Sequence, residues 1–237
     1  MEFVTPLEFW ETECEEKKFE FTFKEKKGEE VRVSQSFSGW RQGGCTLVWS
    51  HALFQFLSVG GRVSLLKVKR LMELGGGGGL GGLVASHFAE EVVISDGDES
   101  ECSLARLNVR NHVPEERRVS VAHVSWGIEN EEKWKSEGLE RESFDLILGN
   151  EICYVIASLP KLAETLDYSL KPGGLALLAN SFVAPTTSQT QMRRVLFEEL
   201  QRRGMEIEVV EGRQFEATVE TSFGLQVVKP KSRGLPG

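Results

Sequence analysis

Apolar residues along this chain change their spacing, and the changes divide it into parts. Phe19-Glu20-Phe21-Thr22-Phe23-Lys24 alternates apolar with polar side chains, as a half-buried strand does, and Val31-Arg32-Val33-Ser34 resumes the alternation after the charged turn around Gly28. The two runs predict a β-hairpin. A hairpin alone is too small to hold a core, so it should pack on the larger remainder of the chain. Ser38-Gly39 and Gly43-Gly44 then punctuate a loop. Residues 1–45 therefore read as an N-terminal hairpin extension, 46–229 as the main domain, and 230–237 as a tail.

From Leu47 the pattern becomes strand and helix in turn. Residues 47–59 place apolar side chains on one helical face and stop at Gly60-Gly61. The spacing then predicts a strand over 68–74, a helix over 80–88, a strand over 91–96 and a helix over 99–109 capped by Asp98. Strands come next over 119–124 and 144–149, then a helix over 159–170. The turn Lys171-Pro172-Gly173-Gly174 leads into a strand over 175–179. A long amphipathic helix over 191–203 stops at Gly204, and 205–210 with 224–228 close as an antiparallel pair. Strands separated by helices predict the α/β class. The expected architecture is a Rossmann-like, mostly parallel sheet with its last strand antiparallel, covered on both faces. In such sheets a ligand binds beyond the carboxyl ends of the strands.

Composition removes several classes of function. The net charge of −8 argues against a nucleic-acid partner, and the short run Lys67, Lys69, Arg70 reads as the solvated start of a strand. No apolar run approaches the ~18 residues that span a bilayer, so no membrane partner is expected. The acidic, aromatic N-terminus lacks the basic-then-apolar pattern of a secretory signal, which makes the cytoplasm, and also the nucleus, the expected compartment. Cys14, Cys45, Cys102 and Cys153 form no CxxC pair, so no metal site is expected and the thiols should be reduced. A monomer is expected.

The sharpest local feature is Glu73-Leu74-Gly75-Gly76-Gly77-Gly78-Gly79-Leu80-Gly81-Gly82. A strand, a glycine loop and a helix start together should leave bare amides facing outward at the positive end of a helix dipole. Either a pyrophosphate or the carboxylate end of S-adenosylmethionine (SAM) suits such a place. The spacing alone does not choose. Gly76, Gly78, Gly81 and Gly77, Gly79, Gly82 both satisfy the dinucleotide pattern GxGxxG, while Glu73 with Gly75, Gly77 and Gly79 satisfies ExGxGxG. Asp96, about 20 residues after the loop, is placed to accept hydrogen bonds from ribose hydroxyls in either cofactor. Asp98 is read as a helix cap.

Six further segments, in order, carry a resemblance. Val48-Trp49-Ser50-His51-Ala52-Leu53 precedes the first sheet strand, Glu73 to Gly82 forms the loop, and Ile94-Ser95-Asp96 precedes a helix reaching Asn111. Val124-Ser125-Trp126-Gly127 ends the third strand, Glu151-Ile152-Cys153-Tyr154 comes after the fourth, and Lys171-Pro172-Gly173-Gly174 leads to the fifth. From Phe19 to Val228 the chain resembles the seven-β-strand protein methyltransferases, which include calmodulin-, elongation-factor- and chaperone-lysine methyltransferases. It departs from them in carrying Glu at 151 where Asp is more usual.

The resemblance implies SAM as cofactor and a protein side chain, lysine above all, as acceptor. It implies that Trp49, Glu73, Gly75, Gly77, Gly79, Asp96, Trp126 and Asn150 border the cofactor, with Asp96 on the ribose and Trp126 against the adenine. Glu151 and Tyr154 take the catalytic places, Glu151 accepting hydrogen bonds from the incoming amine and Tyr154 walling its channel. A lysine has to lose its proton before it can attack, which costs about 4 to 5 kcal/mol at pH 7. A neighbouring sulfonium lowers that cost by disfavouring ammonium. Competing readings are methylation of arginine, histidine or a small molecule, a catalytically silent SAM-binding module, and a nicotinamide oxidoreductase.

Overall fold

Leu71, Met72 and Leu74 are wholly buried and Glu73 nearly so, as a central strand covered on both faces requires. In this computed structural model the residues described are 17–24, 30–37, 50, 53, 57, 68–180, 189–210 and 224–230. The elements run β1 (Lys17–Lys24), β2 (Glu30–Phe37), β3 (Arg70–Leu74), α1 (Leu80–Ala85), β4 (Glu91–Asp96), α2 (Glu99–His112) and β5 (Arg118–His123). They continue with α3 (Glu131–Ser136), β6 (Phe144–Asn150), α4 (Leu159–Ser169), β7 (Leu170–Asn180), α5 (Gln189–Arg202), β8 (Met205–Val210) and β9 (Gly224–Pro230).

β1 and β2 form the expected hairpin, antiparallel in register from Lys17↔Phe37 to Lys24↔Glu30. β2 lies alongside α1 and α2. Among the described residues the main sheet has seven strands in the order β5-β4-β3-β6-β7-β9-β8. Every neighbouring pair from β5 to β7 is parallel, and β9 is antiparallel to both β7 and β8. The chain builds outward from β3 to β5, then returns to place β6 on the other side of β3. Between β3 and β6 the order reverses, which is where a sheet of this kind opens a crevice.

Alternation within the strands sorts the core into two layers. Leu71, Val92, Ile94, Leu146 and Leu148 face α1, whose Leu80, Leu83 and Val84 cover them. Met72, Leu74, Val93, Ile147 and Leu178 face the other way, under Leu162 and Leu166 of α4 and Met192, Leu196 and Leu200 of α5. Ser50, Leu53 and Leu57 are helical and buried, in keeping with the helix expected over 47–59; the rest of that helix, Trp49 included, lies outside the described residues.

Three elements differ from the spacing. The helix expected over 80–88 ends at Ala85, where the amides of His87 and Phe88 bond three residues back, to the Val84 and Ala85 carbonyls, and close a tighter last turn. α3 had no counterpart in the pattern: its acidic and basic residues carry a single buried side chain, Trp134, held edge-on to Tyr168 at 5.1 Å between ring centres. Lys171-Pro172-Gly173-Gly174 does not interrupt β7 but bulges within it, shifting the register between Phe144 and Leu146. Gly174 lies so near three main-chain oxygens that a Cβ there would stand 3.1 Å from each.

Asp145 fastens that bulge to the start of the sheet. Its carboxylate accepts from the amides of Lys69 (3.1 Å) and Arg70 (2.8 Å) and from Lys171 Nζ (2.8 Å), tying β3, β6 and β7 together at their amino ends. Burial pushes the Asp145 carboxyl up, but Lys171 and the two amides outweigh it and hold it below its ordinary value. Hydrogen bonds to a charged group contribute more than neutral ones, so Asp145→Ala should lower the unfolding free energy by about 1.5 to 3 kcal/mol in denaturant titrations. The stabilisation is present above the ordinary carboxylate pKa and is lost as pH falls through the lowered one. The gap between wild type and variant should therefore close on acidification.

Candidate functional site

β3 delivers its last residues to the crevice, and the glycine loop begins at once. Gly75, Gly77 and Gly79 have φ of 61°, 53° and 85°, the left-handed region that resists a side chain. The alternate glycines of ExGxGxG are thus the ones the backbone needs, and neither GxGxxG frame coincides with them. The loop is pinned from outside. The amide of Gly76 donates to the Ser95 carbonyl at 2.9 Å and that of Gly77 to Asp96 Oδ2 at 3.0 Å, while Asn108 Nδ2 donates to the Gly78 carbonyl at 2.9 Å. The expectation of bare amides facing outward is corrected here: Gly76, Gly77, Gly79 and Gly82 all donate within the protein.

Glu73 lies beneath this loop. Its side chain sits on the α1 face of the sheet, and Oε2 accepts from the Gly82 amide at 2.8 Å. Burial drives its pKa up to about 8, the nearby Asp96 charge adds to the rise, and the Gly82 and Gly81 amides only partly oppose it. A Cβ on Gly76 or Gly82 would come within 2.9 or 3.0 Å of that same oxygen. Glu73 therefore supports the loop from below.

The next two strands end beside the loop. Asp96, half-buried at the end of β4, accepts from the Gly77 amide with Oδ2 and from the Asp98 amide with Oδ1 at 2.9 Å. Each carboxylate oxygen has a further lone pair for a second donor. Asp98 caps α2, accepting from the Ser100 amide. Trp126 comes after β5 half-buried, with Cζ2 3.9 Å from where a Gly75 Cβ would stand. Trp134 Nε1 donates to the Ser125 carbonyl and Asn130 Nδ2 to that of Trp126, which fixes the indole's backbone. Asn150 ends β6 with Oδ1 buried and, among the described residues, without a hydrogen-bond partner.

One residue on, the chain leaves the sheet abruptly. Glu151 takes φ of 52°, a left-handed conformation uncommon outside glycine, while its amide donates to the Ala179 carbonyl at 2.8 Å. Ile152 is 4% exposed and acts as a wedge: Cγ2 stands 2.6 Å from where a Gly75 Cβ would be, and Cδ1 2.5 Å from the same point on Gly149. The Cys153 amide donates to Asn180 Oδ1 at 3.1 Å. Burial first, and then the Glu151 charge, push the Cys153 thiol well above its ordinary pKa.

Tyr154, expected to wall a channel, is 64% exposed, and Val155 and Ile128 are exposed as well. The structure thus brings Gly75, Gly77, Gly79, Asp96, Trp126, Asn150 and Glu151 to one end of the sheet. It puts Glu73 underneath and Tyr154 on the surface. Sequence reasoning missed Ile152 and Asn180, whose roles appear only once the strands are paired. The helix asparagine that meets the loop is the buried Asn108; Asn111 is exposed.

Known proteins resemble this chain at two levels, fold and sequence. A TehB-like SAM-dependent methyltransferase from Corynebacterium glutamicum superposes with a TM-score of 0.51 over 76% of this chain and 88% of its own, at 16% identity, a likeness of fold alone. The protein N-lysine methyltransferase METTL21A of Danio rerio is 35% identical over 63% of this chain and 65% of its own length. The EEF1A lysine methyltransferase 3 of Mus musculus is 31% identical over 71% of this chain and 69% of its own. The matched stretch thus spans just under two thirds of the Danio rerio relative. A family model described as lysine methyltransferase matches residues 26–185, more than half of the chain, and the chain belongs to that family.

Proposed function

We propose that this chain transfers a methyl group from SAM to a lysine side chain of another protein. The observation that carries the reading is the left-handed alternation of Gly75, Gly77 and Gly79 opposite Asp96, at the reversal of strand order. The residues there fit an adenosyl cofactor. Asp96 has lone pairs to spare for ribose hydroxyls, and the half-buried Trp126 offers a flat apolar surface beside Gly75. The buried Asn150 oxygen calls for a donor, which the cofactor's amino groups supply. Bound there, SAM supplies an activated methyl group on a positively charged sulfonium.

The remaining work falls to the protein. Glu151 stands directly beyond Asn150, so its carboxylate accepts the N–H bonds of an incoming amine and holds the lone pair in line with the methyl group. A cation beside that amine favours its neutral form. Ile152 packs aliphatic bulk on Gly75 and Gly149 at the ends of β3 and β6, an apolar floor that excludes water from beneath the reacting atoms. Exposed Tyr154 and Val155 are available to the surface of the substrate protein rather than to the amine alone. The net charge of −8 favours an acceptor on a basic surface.

The test incubates the protein with labelled SAM and either purified EEF1A, after the mouse relative's name, or a heat-treated cell lysate, and maps the label by mass spectrometry. Label on lysine is expected. Label on arginine or histidine alone, or a melting temperature raised by NAD and not by SAM, sinks the reading. Glu151→Ala should bind SAM as wild type does and lose about 10²-fold in turnover, the scale of a misaligned nucleophile. Equal turnover would remove Glu151 from the mechanism.

Glu73 gives a pH dependence. Its folded pKa of about 8 lies above the ordinary value, so the stability it contributes is fully present below the unfolded pKa and is lost as pH rises through the folded one. Glu73→Gln keeps an acceptor for the Gly82 amide without the ionisation. Between about pH 5 and 8, denaturation midpoints of wild type should fall relative to those of Glu73→Gln; parallel curves would contradict the buried neutral acid.

A further inference from the structure

β6 and β7 pair through Asn150↔Ala179, and there the ladder ends. Beyond it the chain turns left-handed at Glu151, yet its next amides are still received by β7. The Glu151 amide donates to the Ala179 carbonyl at 2.8 Å, and the buried Cys153 amide donates to a side chain, Asn180 Oδ1, at 3.1 Å. Asn180 is the last residue of β7 and is 1% exposed. An uncharged amide is well suited to the place: it accepts from a buried N–H without bringing a second carboxylate near Glu151, whereas an apolar residue would leave that N–H unpaired.

A left-handed backbone at a residue with a Cβ persists only where its surroundings over-determine it. Among the described residues, three contacts flank Glu151: the Ala179 carbonyl before the turn, the Ile152 wedge between Gly75 and Gly149, and Asn180 after it. Two of these are main-chain or apolar and come with the sheet itself. Asn180 is the polar side chain whose identity is a choice. We propose that Asn180 is a positioning residue that aims the Glu151 carboxylate at the acceptor by fixing the left-handed turn at the end of β6. The proposal rests on the methyltransferase reading above and adds to it the element that orients its acceptor side.

The experiment is a double-mutant cycle of Asn180→Ala and Glu151→Ala in the full chain, using labelled SAM with the acceptor that wild type methylates. Asn180→Ala should lower kcat by about 10-fold to 100-fold, as a displaced catalytic group does, and leave the dissociation constant for SAM unchanged by calorimetry. In the Glu151→Ala background the same substitution should cost almost nothing more, because the carboxylate it aims is gone. Asn180→Ser, which keeps an uncharged acceptor oxygen, should recover part of the loss; it also carries the cycle if Asn180→Ala does not fold. Hydrogen exchange gives a readout independent of turnover: the Cys153 amide should exchange faster in Asn180→Ala while the Gly77 amide does not. Additive losses, a weakened SAM affinity equal to the loss in kcat, or unchanged exchange at Cys153 overturns the role of Asn180 and leaves the functional reading standing. Wild type that neither binds SAM nor labels any protein overturns that reading, and this proposal with it.

Discussion

A buried carboxyl group beneath a loop with almost no side chains is the constraint on which the site depends. Glycines impose no conformation of their own and lose the most freedom on ordering. A run of five would wander unless something held it. Glu73 supplies the hold from inside the sheet by taking the Gly82 amide, and Asp96 and Asn108 supply it from the neighbouring strand and helix. Oε2 of Glu73 occupies the space that a Cβ on Gly76 or Gly82 would need, so the acid and the missing side chains are parts of one packing solution. Removing the carboxyl would leave both a void and an unpaired amide under the loop.

The second half of the site is built on the first. Ile152 reaches from the end of β6 onto Gly75 and Gly149, so the glycine loop and the segment that carries Glu151 share a contact. Gly75 is thereby constrained twice, by its left-handed φ and by the isoleucine resting on it. A side chain at that position would displace the wedge and shift Glu151. Trp126 reaches the same spot from β5. Three strand ends thus converge on one glycine, at the point where the order of strands reverses.

The alternation of apolar residues made the sheet legible: strands over 91–96 and 205–210 stand where the spacing puts them, and the order of elements comes from their types. The part that side-chain contacts decide across the sheet was not legible. Five consecutive glycines satisfy three spacings at once, and which of them turn left-handed is settled by contacts from outside the loop, such as those of Ile152, Ile94 and Asp96, that the spacing does not show. α3 escaped because a helix of charged residues with one tryptophan has no periodic face; the Trp134 contact with Tyr168 is a tertiary choice. Tyr154 was recognised by its place in a motif, which fixes its distance along the chain from Glu151 but not the direction of its ring. Asn180 ends an apolar strand as any loop asparagine does, and its partner, Cys153, lies 27 residues away.

Strain at Glu151 gives a reason for the contacts gathered at the end of β6. The left-handed conformation is tolerated best by asparagine and aspartate, whose short side chains bond locally, and less well by glutamate. Keeping glutamate there costs on the order of 1 kcal/mol or more, and the cost is met by the hydrogen bonds to Ala179 and Asn180 and by the Ile152 wedge. What glutamate adds over aspartate is one methylene of reach. Asp96 is short and tied to two amides, so the longer acid on the strained turn is the one with reach to serve the acceptor proposed above. The glycine loop is therefore held through several of its main-chain groups, whereas Glu151 is fixed first at its backbone. That sets where the carboxylate starts, and in the role proposed above the longer side chain would let its end follow the amine.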